Sequence, residues 1–318
     1  MIEFIGKTPI YKLKSFSTSS YEIYAKLEFY NPTGSVKDRI ALYMIEHAEK
    51  EGILRKGSYI VEPTSGNTGL GLALISNLKG YKFIAVMPDK VSEEKRNLLR
   101  SYGAEVVICP TNVPPNDPNS YYEVSKRIAK ERNAFYPNQY ENPNNPKAHY
   151  ETTGPEIWYQ MNGKIDAFFA GVGTGGTISG VGKFLKNMNS KIKIVGIDPD
   201  GSILYDYFYK KEIVQARVYD VEGIGEDFIP KTLDFSVIDD FVRIYDKEAF
   251  EMTLNLLRYE GLFVGPSSGA ALVGALKYIK EHPEIKRAVV LFPDGGSRYL
   301  SKAFNENWLK ERGYIWIF

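Results

Sequence analysis

The sequence predicts a two-lobed α/β protein in which helices cover parallel β-sheets. Short apolar runs typical of buried strands alternate along the chain with segments whose apolar residues recur at helical spacing. This alternation is typical of strand-helix-strand units, in which the helices pack on the faces of a parallel sheet. A length of 318 residues, 43% of them hydrophobic, is sufficient for two lobes with a sizeable core.

Six runs are predicted to form buried strands because apolar and β-branched residues fill them almost continuously. They are SYIVEP, KFIAVMP, AEVVICP, DAFFAGV, IKIVGID and RAVVLFP. Helices are predicted in RIALYMIEHAEKEGIL and at residues 68–79, 92–102, 120–132, 151–162, 178–189 and 247–260. Ser92 is the predicted N-cap of the helix at 92–102, and Thr152 or Thr153 that of the helix at 151–162.

Composition argues against nucleic acid and membranes as partners. Forty basic residues against 39 acidic ones give a net charge of +1, and no basic run could follow a nucleic-acid backbone. No run approaches the roughly 18 apolar residues that span a bilayer. The N-terminus MIEFIGKTPIYKL also lacks the cationic start and apolar core of a signal peptide. We therefore expect a cytoplasmic location.

Cysteine and histidine usage predicts no metal site and no disulfide framework. The single cysteine, Cys109, lies in the strand-like run AEVVICP and is predicted to be a buried structural thiol. The three histidines, His47, His149 and His282, are far apart in the sequence and lack the spacing of metal ligands.

Three glycine-rich turns are candidate binding loops because each follows a predicted strand and precedes a helix. They are EPTSGNTG, GVGTGGT and VGPSSGAA. In open parallel sheets, ligands bind at the carboxyl ends of the strands. Glycine lets a ligand approach the backbone closely, and the N-terminus of the following helix attracts anions.

The turn GVGTGGT is compatible with two kinds of ligand. Its G-x-G-x-x-G spacing, with Asp198 at the end of the next strand, resembles a dinucleotide fingerprint with its ribose-binding acid. The alternative is a single phosphate held by the amides of residues 173–177 and by the hydroxyls of Thr174 and Thr177. The two threonines favour the phosphate, because a dinucleotide fingerprint does not need them; a turn without a ligand is the third interpretation.

A lysine in NPTGSVKDRIA separates these interpretations further. A dehydrogenase has no evident use for Lys37, whereas a pyridoxal-phosphate enzyme needs one lysine amine to form a Schiff base with the cofactor. A lysine at a helix start is usually a solvated surface charge. Here Asn31, Thr33, Gly34 and Ser35 form a polar cradle immediately before it, which favours a function.

Four motifs together resemble the cysteine synthase and cystathionine β-synthase family of pyridoxal-phosphate enzymes. These motifs are NPTGSVKDRIA, EPTSGNTGLGLA, GVGTGGTISGVG and VGPSSGAAL, and the likeness extends over nearly the whole chain. The resemblance implies the tryptophan synthase β-like fold of these enzymes, pyridoxal 5'-phosphate as the cofactor and a homodimer.

The resemblance also implies a role for each motif. Lys37 would carry the cofactor and act as the general base once an amino acid displaces it. Asn67 would bond the 3' oxygen of the ring, and Ser267 would face the pyridine nitrogen. The residues implied to hold the phosphate are Gly173, Thr174, Gly175, Gly176 and Thr177. Those implied to bind the substrate α-carboxylate are Thr64, Ser65, Asn67 and Thr68, assisted by Gln139. We expect residues 64–68 to move on substrate binding.

The implied reaction is β-replacement through an aminoacrylate intermediate. Serine, O-acetylserine, O-phosphoserine or cysteine would lose its β-substituent, and a thiol or sulfide would add, giving cystathionine or cysteine. A neutral serine beside the pyridine nitrogen makes a weaker electron sink than a carboxylate would, which suits β-elimination. Cysteine synthase or cysteine desulfhydrase activity is the alternative within this class; an NAD-dependent oxidoreductase and a non-catalytic binding protein are the alternatives outside it.

Two segments favour the cystathionine β-synthase branch: DPDGSIL at 198–204 and VEGIGEDFIPKTLD at 221–234. Glu226 stands where animal members of that branch carry tyrosine, and we expect neither their regulatory tandem domains nor their haem-binding extension. Glu226 and Asp227 form either a solvated acidic turn or a site at the active-site mouth. In the second case, a carboxylate there would bind the ammonium group of an amino-thiol substrate, for which Asp227 is the candidate, or position water or a thiol for attack.

The predicted division into lobes follows the same resemblance. Residues 1–37 and 143–318 would form the larger, cofactor-binding lobe, and residues 38–142 a smaller mobile lobe that closes on it. The cofactor would lie between the two lobes.

Overall fold

The computed structural model describes residues 1–89, 91, 93–114 and 116–314, and the following elements lie within these ranges. The strands are β1 (Ile10–Lys12), β2 (Glu22–Leu27), β3 (Tyr59–Pro63), β4 (Lys82–Pro88), β5 (Glu105–Cys109), β6 (Ala167–Gly171), β7 (Lys193–Pro199), β8 (Asp240–Ile244) and β9 (Arg287–Phe292). Ser92, the predicted helix cap, lies outside the described residues.

The α-helices follow the predicted alternation with the strands. They are α1 (Lys37–Lys50), α2 (Asn67–Lys79), α3 (Glu93–Ser101), α4 (Tyr121–Glu131), α5 (Asn144–Ala148), α6 (Gly154–Gln160), α7 (Gly176–Met188), α8 (Leu204–Lys210), α9 (Asp246–Glu260), α10 (Pro266–Glu281) and α11 (Glu306–Glu311). In the part of the chain that the structure describes, no helix is both long and apolar enough to cross a lipid bilayer.

The chain divides into two compact units. The smaller comprises Met1–Ile5 and Asn31–Asn145, and the larger comprises Gly6–Tyr30 and Pro146–Phe318. Lys37 belongs to the smaller unit, together with the segment that contains Gln139.

The smaller unit contains a three-stranded parallel sheet in the order β3-β4-β5. Strands β3 and β4 are buried on both faces, as the continuous apolar runs predicted, whereas the edge strand β5 is partly exposed. Cys109 at the end of β5 is the expected buried thiol. Helices α1 and α2 pack closely in this unit because Gly71 has no side chain. A Cβ at Gly71 would lie 3.0 Å from the Cβ of Ala41 and 3.2 Å from the Cα of Asp38.

The larger unit contains a six-stranded sheet in the order β1-β2-β9-β6-β7-β8. Only the β1-β2 pair is antiparallel; the other strand pairs are parallel. Fully buried aromatic side chains, including Phe168, Phe169 and Phe292, fill the core around β6 and β9. The predicted α/β class with parallel sheets covered by helices is therefore confirmed.

The apolar pattern does not predict strands β1, β2 and β8, because they are short or contain charged residues. In β2, Lys26 is completely buried, which no apolar pattern can indicate. Its Nζ donates to the carbonyl oxygen of Thr8 at 2.7 Å and to Oε1 of Gln160 at 2.9 Å, and it forms an ion pair with Glu156 at 2.7 Å. A charge in this strand is tolerated because hydrogen bonds to three acceptors compensate for its burial.

The predicted cap at Thr152 or Thr153 is wrong. The helical backbone passes from α5 through a π-helical turn at His149–Thr153 directly into α6. Within this turn the hydroxyl of Thr152 donates back to the carbonyl oxygen of Ala148 at 2.6 Å, so it satisfies a helix carbonyl and does not begin a new helix. π-Helical turns often occur at functional sites.

Lys26→Ala is expected to lower the free energy of unfolding by about 3 kcal/mol, because it leaves Glu156 without its buried cation. Lys12→Ala is the matched control: it removes an exposed ion pair with Glu22 beside the same strand and should change stability by less than about 0.5 kcal/mol. Urea unfolding followed by circular dichroism measures both variants. Equal effects of the two substitutions would contradict a stabilising role for the buried network.

Candidate active site

The turn before Lys37 is held by a buried aspartate. Gly34 has a φ of +80°, and its N–H donates to the carbonyl oxygen of Asn31 at 2.7 Å. The N–H of Thr33 donates to Oδ2 of Asp38 at 2.7 Å, and its hydroxyl donates to the other carboxylate oxygen. Lys37, the first residue of α1, directly follows this turn, which is held together by hydrogen bonds between its own polar residues and Asp38.

The carboxylate-loop candidates lie between β3 and α2 in the same unit. Gly66 is the N-cap of α2 and has a φ of +149°, which L-residues with side chains rarely adopt. The hydroxyl oxygen of Thr64 accepts hydrogen bonds from the N–H groups of Gly66 and Gly69, both at 3.1 Å. The hydroxyl oxygen of Thr64 therefore holds the loop as an acceptor, and the hydroxyl proton can be donated to a ligand.

Two predicted substrate-binding residues that are far apart in sequence meet in this unit. The hydroxyl of Thr68, in the first turn of α2, donates to Oε1 of Gln139 at 2.6 Å. Both side chains are buried. The close packing of α1 on α2 also places Lys37 and Asn67 at the N-termini of two adjacent helices.

The phosphate-loop candidates lie between β6 and α7 in the larger unit. Gly175, the N-cap of α7, has a φ of +81°, and a Cβ there would lie 2.7 Å from the Cα of Leu233. A Cβ at Gly173 would lie 2.9 Å from the carbonyl oxygen of Gly223. Glycine is therefore required at both positions.

The hydroxyls of the phosphate loop have defined partners. Oγ1 of Thr174 accepts from the N–H of Gly176 at 3.4 Å. Oγ1 of Thr177 lies 3.2 Å from Nε2 of His149, whose Nδ1 lies 2.9 Å from the hydroxyl oxygen of Thr153. In the sequence, His149 is notable only as a histidine without the spacing of a metal ligand, and no local signal indicates its contact with a residue 28 positions away.

Ser267 is buried in the first turn of α10, next to the end of β9. The N–H of Gly265 donates to the carbonyl oxygen of Asp294 at 3.0 Å, and Val264 forms a bridge with Gly295. Because β6 and β9 are neighbouring parallel strands, Ser267 and the phosphate loop lie at the same carboxyl edge of the large sheet.

The three helices that follow the glycine-rich turns share an unusual N-terminus. Their N-caps are Gly66, Gly175 and Gly265, which have no side chain to bond the first amides. By contrast, Ser120 caps α4 and Asn305 caps α11 through their side chains. A glycine N-cap lets an external acceptor approach the start of α2, α7 and α10 closely, at the positive end of each helix dipole.

The acidic pair at 226–227 is divided between two environments. Oε1 of Glu226 lies 3.8 Å from the position that a Cβ of Gly173 would occupy, so this carboxylate faces the phosphate loop. The N–H of Glu226 donates to the hydroxyl of Ser202 at 3.0 Å. Asp227 is exposed.

Asp198, the ribose-binding acid of the dinucleotide interpretation, is completely buried. Its Oδ2 accepts from the N–H of Tyr205 at 2.8 Å, which leaves it inside the protein at the start of α8. Burial raises the pKa of Asp198 from 3.8 to about 7. This geometry does not suit an exposed ribose hydroxyl and disfavours the dinucleotide interpretation.

The stability of the protein should depend on this carboxyl group. The unfolded chain loses the Asp198 proton at lower pH than the folded protein, so its stabilising contribution is complete below pH 3.8 and falls as the pH rises to about 7. Asp198→Asn removes the titration. We therefore expect the difference in melting temperature, unsubstituted protein minus Asp198→Asn, to decrease between about pH 5 and about pH 7.5. Glu212→Gln, at an exposed acid, is the control; a difference that stays constant with pH for Asp198→Asn would contradict the raised pKa.

Comparison with known proteins identifies the family. A family model described as pyridoxal-phosphate dependent enzyme matches residues 1–294. Cystathionine beta-synthase of Apis mellifera is 48% identical over 98% of this chain and 62% of its own length, so the chain spans about three fifths of that relative. Cysteine synthase of Staphylococcus aureus is 44% identical over 94% of each chain.

Solved structures give the same result. O-ureido-L-serine synthase superposes with a TM-score of 0.89 and 36% identity, over 97% of this chain and 98% of that one. A hydrogen sulfide-producing enzyme from Fusobacterium nucleatum superposes with a TM-score of 0.87 and 42% identity, over 94% of this chain and 98% of that one. The fold, the glycine-capped helices and these similarities together show that the chain belongs to the family of pyridoxal-phosphate dependent enzymes.

Proposed function

We propose that the protein catalyses pyridoxal-phosphate-dependent β-replacement on serine or a β-substituted serine, with a thiol or sulfide as the incoming nucleophile. The observation that carries the proposal is Lys37 at the first position of α1, beside the N-terminus of α2 with its loop at residues 64–68. An amine for the cofactor and an anion-binding loop for the substrate are thus adjacent in one unit.

The residues of the larger unit fit the phosphate and ring of the cofactor. Residues 173–177 would bind the phosphate through the amides before α7 and the hydroxyls of Thr174 and Thr177, at the positive end of the helix dipole. Ser267 would donate to or accept from the pyridine nitrogen without adding a charge. Bound pyridoxal phosphate supplies an electron sink for negative charge that develops at the substrate α-carbon.

The residues of the smaller unit would act on the substrate. Lys37 would hold the cofactor through its amine and, once an amino acid has replaced it, remove the α-proton as general base. Asn67 would bond the 3' oxygen of the cofactor ring. The α-carboxylate would be bound by the loop of Thr64, Ser65, Asn67 and Thr68, through the hydroxyls of Thr64 and Ser65 and the amides at the start of α2. The hydroxyl of Thr68 would orient Gln139, whose side-chain NH₂ group would assist.

The relatives support two substrate pairs. Similarity to cystathionine beta-synthases favours an amino-thiol as the nucleophile and cystathionine as the product. Cysteine synthase activity with sulfide is the second candidate, because the cysteine synthase of Staphylococcus aureus matches this chain over 94% of both lengths. Cysteine desulfhydrase activity is a further candidate, supported by the hydrogen sulfide-producing enzyme from Fusobacterium nucleatum.

We further propose a cytoplasmic homodimer. The single buried cysteine agrees with a reducing compartment, and the family resemblance implies the dimer. Light scattering of the purified protein tests the dimer directly: a monomeric mass in the active preparation would contradict it.

Absorbance spectroscopy tests the function. The purified protein should be yellow, and one of O-acetylserine, O-phosphoserine, serine or cysteine should shift the cofactor band, which sulfide or homocysteine should then restore. Lys37→Ala should lose the original band because no amine remains to bind the cofactor. A protein that stays colourless with added pyridoxal phosphate would contradict the proposal.

Asp227→Asn tests the choice of nucleophile. If the exposed carboxylate binds the ammonium group of an amino-thiol, the substitution should lower kcat/KM for homocysteine or cysteine about tenfold and leave that for sulfide nearly unchanged, because sulfide has no ammonium group. Glu212→Gln, at another exposed acid of the larger unit, should alter neither value. Equal losses with both nucleophiles would count against this role.

A further inference from the structure

A carboxylate lies in the otherwise apolar strand that leads to the substrate loop. Glu62 is the next-to-last residue of β3, and its side chain has no solvent exposure. Burial raises the pKa of Glu62, and the two backbone hydrogen bonds that its oxygens accept oppose this shift because they stabilise the carboxylate form. A buried acid is costly to the fold unless it has specific partners, so its contacts indicate what it does.

The partners of Glu62 are two consecutive backbone amides from a distant part of the same unit. Oε1 accepts from the N–H of Gln139 at 2.9 Å, and Oε2 accepts from the N–H of Asn138 at 2.8 Å. Asn138 has a φ of +50°, in the left-handed region that few residues adopt. One carboxylate therefore fixes a peptide segment whose backbone is unfavourable by itself.

The fixed segment carries a predicted substrate-binding side chain. The backbone of Gln139 is held on its N–H by Glu62 and on its carbonyl oxygen by Nδ2 of Asn145, at 2.8 Å. The side-chain oxygen of Gln139 then accepts from the hydroxyl of Thr68 at 2.6 Å, which directs the amide nitrogen away from Thr68. Glu62 is thus connected through Gln139 to the start of α2.

We propose that Glu62 is a positioning residue for recognition of the substrate α-carboxylate. Glu62 does not touch the substrate; it holds the 138–139 peptide, and this peptide places the side chain of Gln139 against Thr68. The inference rests on the proposed function, in which Thr68 and Gln139 bind that carboxylate. β3 connects Glu62 to the substrate loop directly, because Thr64 of that loop is only two residues after Glu62.

A carboxylate suits this role better than an amide. Each of its two oxygens accepts from one N–H, whereas glutamine has a single oxygen and its NH₂ group would face one of the two backbone donors. Glu62→Gln keeps the size of the side chain and removes one of the two bonds. The substitution therefore loosens the 138–139 peptide without opening a cavity.

The test compares two ligands that differ only by the carboxylate, L-alanine and ethylamine. Neither has a β-substituent to lose, so titration of the cofactor absorbance in the holoenzyme gives an equilibrium Kd. We expect Glu62→Gln to raise the Kd of L-alanine about tenfold, equivalent to about 1.4 kcal/mol, and to change that of ethylamine less than about twofold. Glu49→Gln is the matched control: Glu49 is a half-buried acid of the same unit that accepts from Lys79 and Tyr81, and its loss should alter neither Kd.

A double-substitution cycle tests whether Glu62 acts through Gln139. Gln139→Ala should raise the Kd of L-alanine, and adding Glu62→Gln to it should have almost no further effect. Independent, multiplying effects would overturn the proposal, as would an equal loss of affinity for L-alanine and ethylamine, which indicates general damage to the fold.

Amide hydrogen exchange of the unsubstituted holoenzyme provides a measurement that does not depend on the variant folding. The amides of Asn138 and Gln139 should exchange slowly and become slower with L-alanine but not with ethylamine; no difference between the ligands would overturn the proposal. A cofactor band that no amino acid shifts would instead overturn the proposed function. A normal band shift with an unchanged Kd in Glu62→Gln would overturn only the role of Glu62.

Discussion

The candidate site depends on one constraint: an anion can reach the backbone amides at the start of a helix only where no side chain at the N-cap stands in its way. Three helices of this protein begin at a glycine N-cap, and each follows a strand or bridge at the carboxyl edge of a sheet. Helices α4 and α11, for which we propose no ligand, use Ser120 and Asn305 as side-chain caps. Helices α6 and α8 also begin without a side-chain cap, so the feature that the three candidate binding helices share is a glycine at the N-cap, which lets a ligand approach the backbone closely.

The glycine-rich loops are supported by buried polar residues. Asp38 holds the turn before Lys37, and Thr64 accepts from two amides of the substrate loop. His149 contacts Thr177 beside the phosphate loop, and Glu62 holds the peptide before the Gln139 side chain. These interactions order the loops from within each unit, which lowers the entropic cost of binding.

Continuous apolar runs in the sequence predicted the strands that are buried on both faces. The strands β3, β4, β6, β7 and β9 are buried on both faces, so continuous apolar runs mark them. The edge strand β5 has the same apolar pattern although it is partly exposed. The pattern failed for β2, where the completely buried Lys26 depends on acceptors from Thr8, Glu156 and Gln160. It failed again at Thr152, because a π-helical turn continues the helix through a position that local signals mark as a start.

The sequence by itself determined the chemistry of the candidate site. Lysine, glycine, serine and threonine at short fixed spacings are local features, since each motif forms a single turn between a strand and a helix. Only the tertiary structure decided which residues support those motifs: Glu62 meets Asn138 across 76 positions, and Thr177 meets His149 across 28. Such contacts leave no periodic signal in a single sequence, because folding of the whole unit, and not the spacing along the chain, brings the two partners within hydrogen-bond distance.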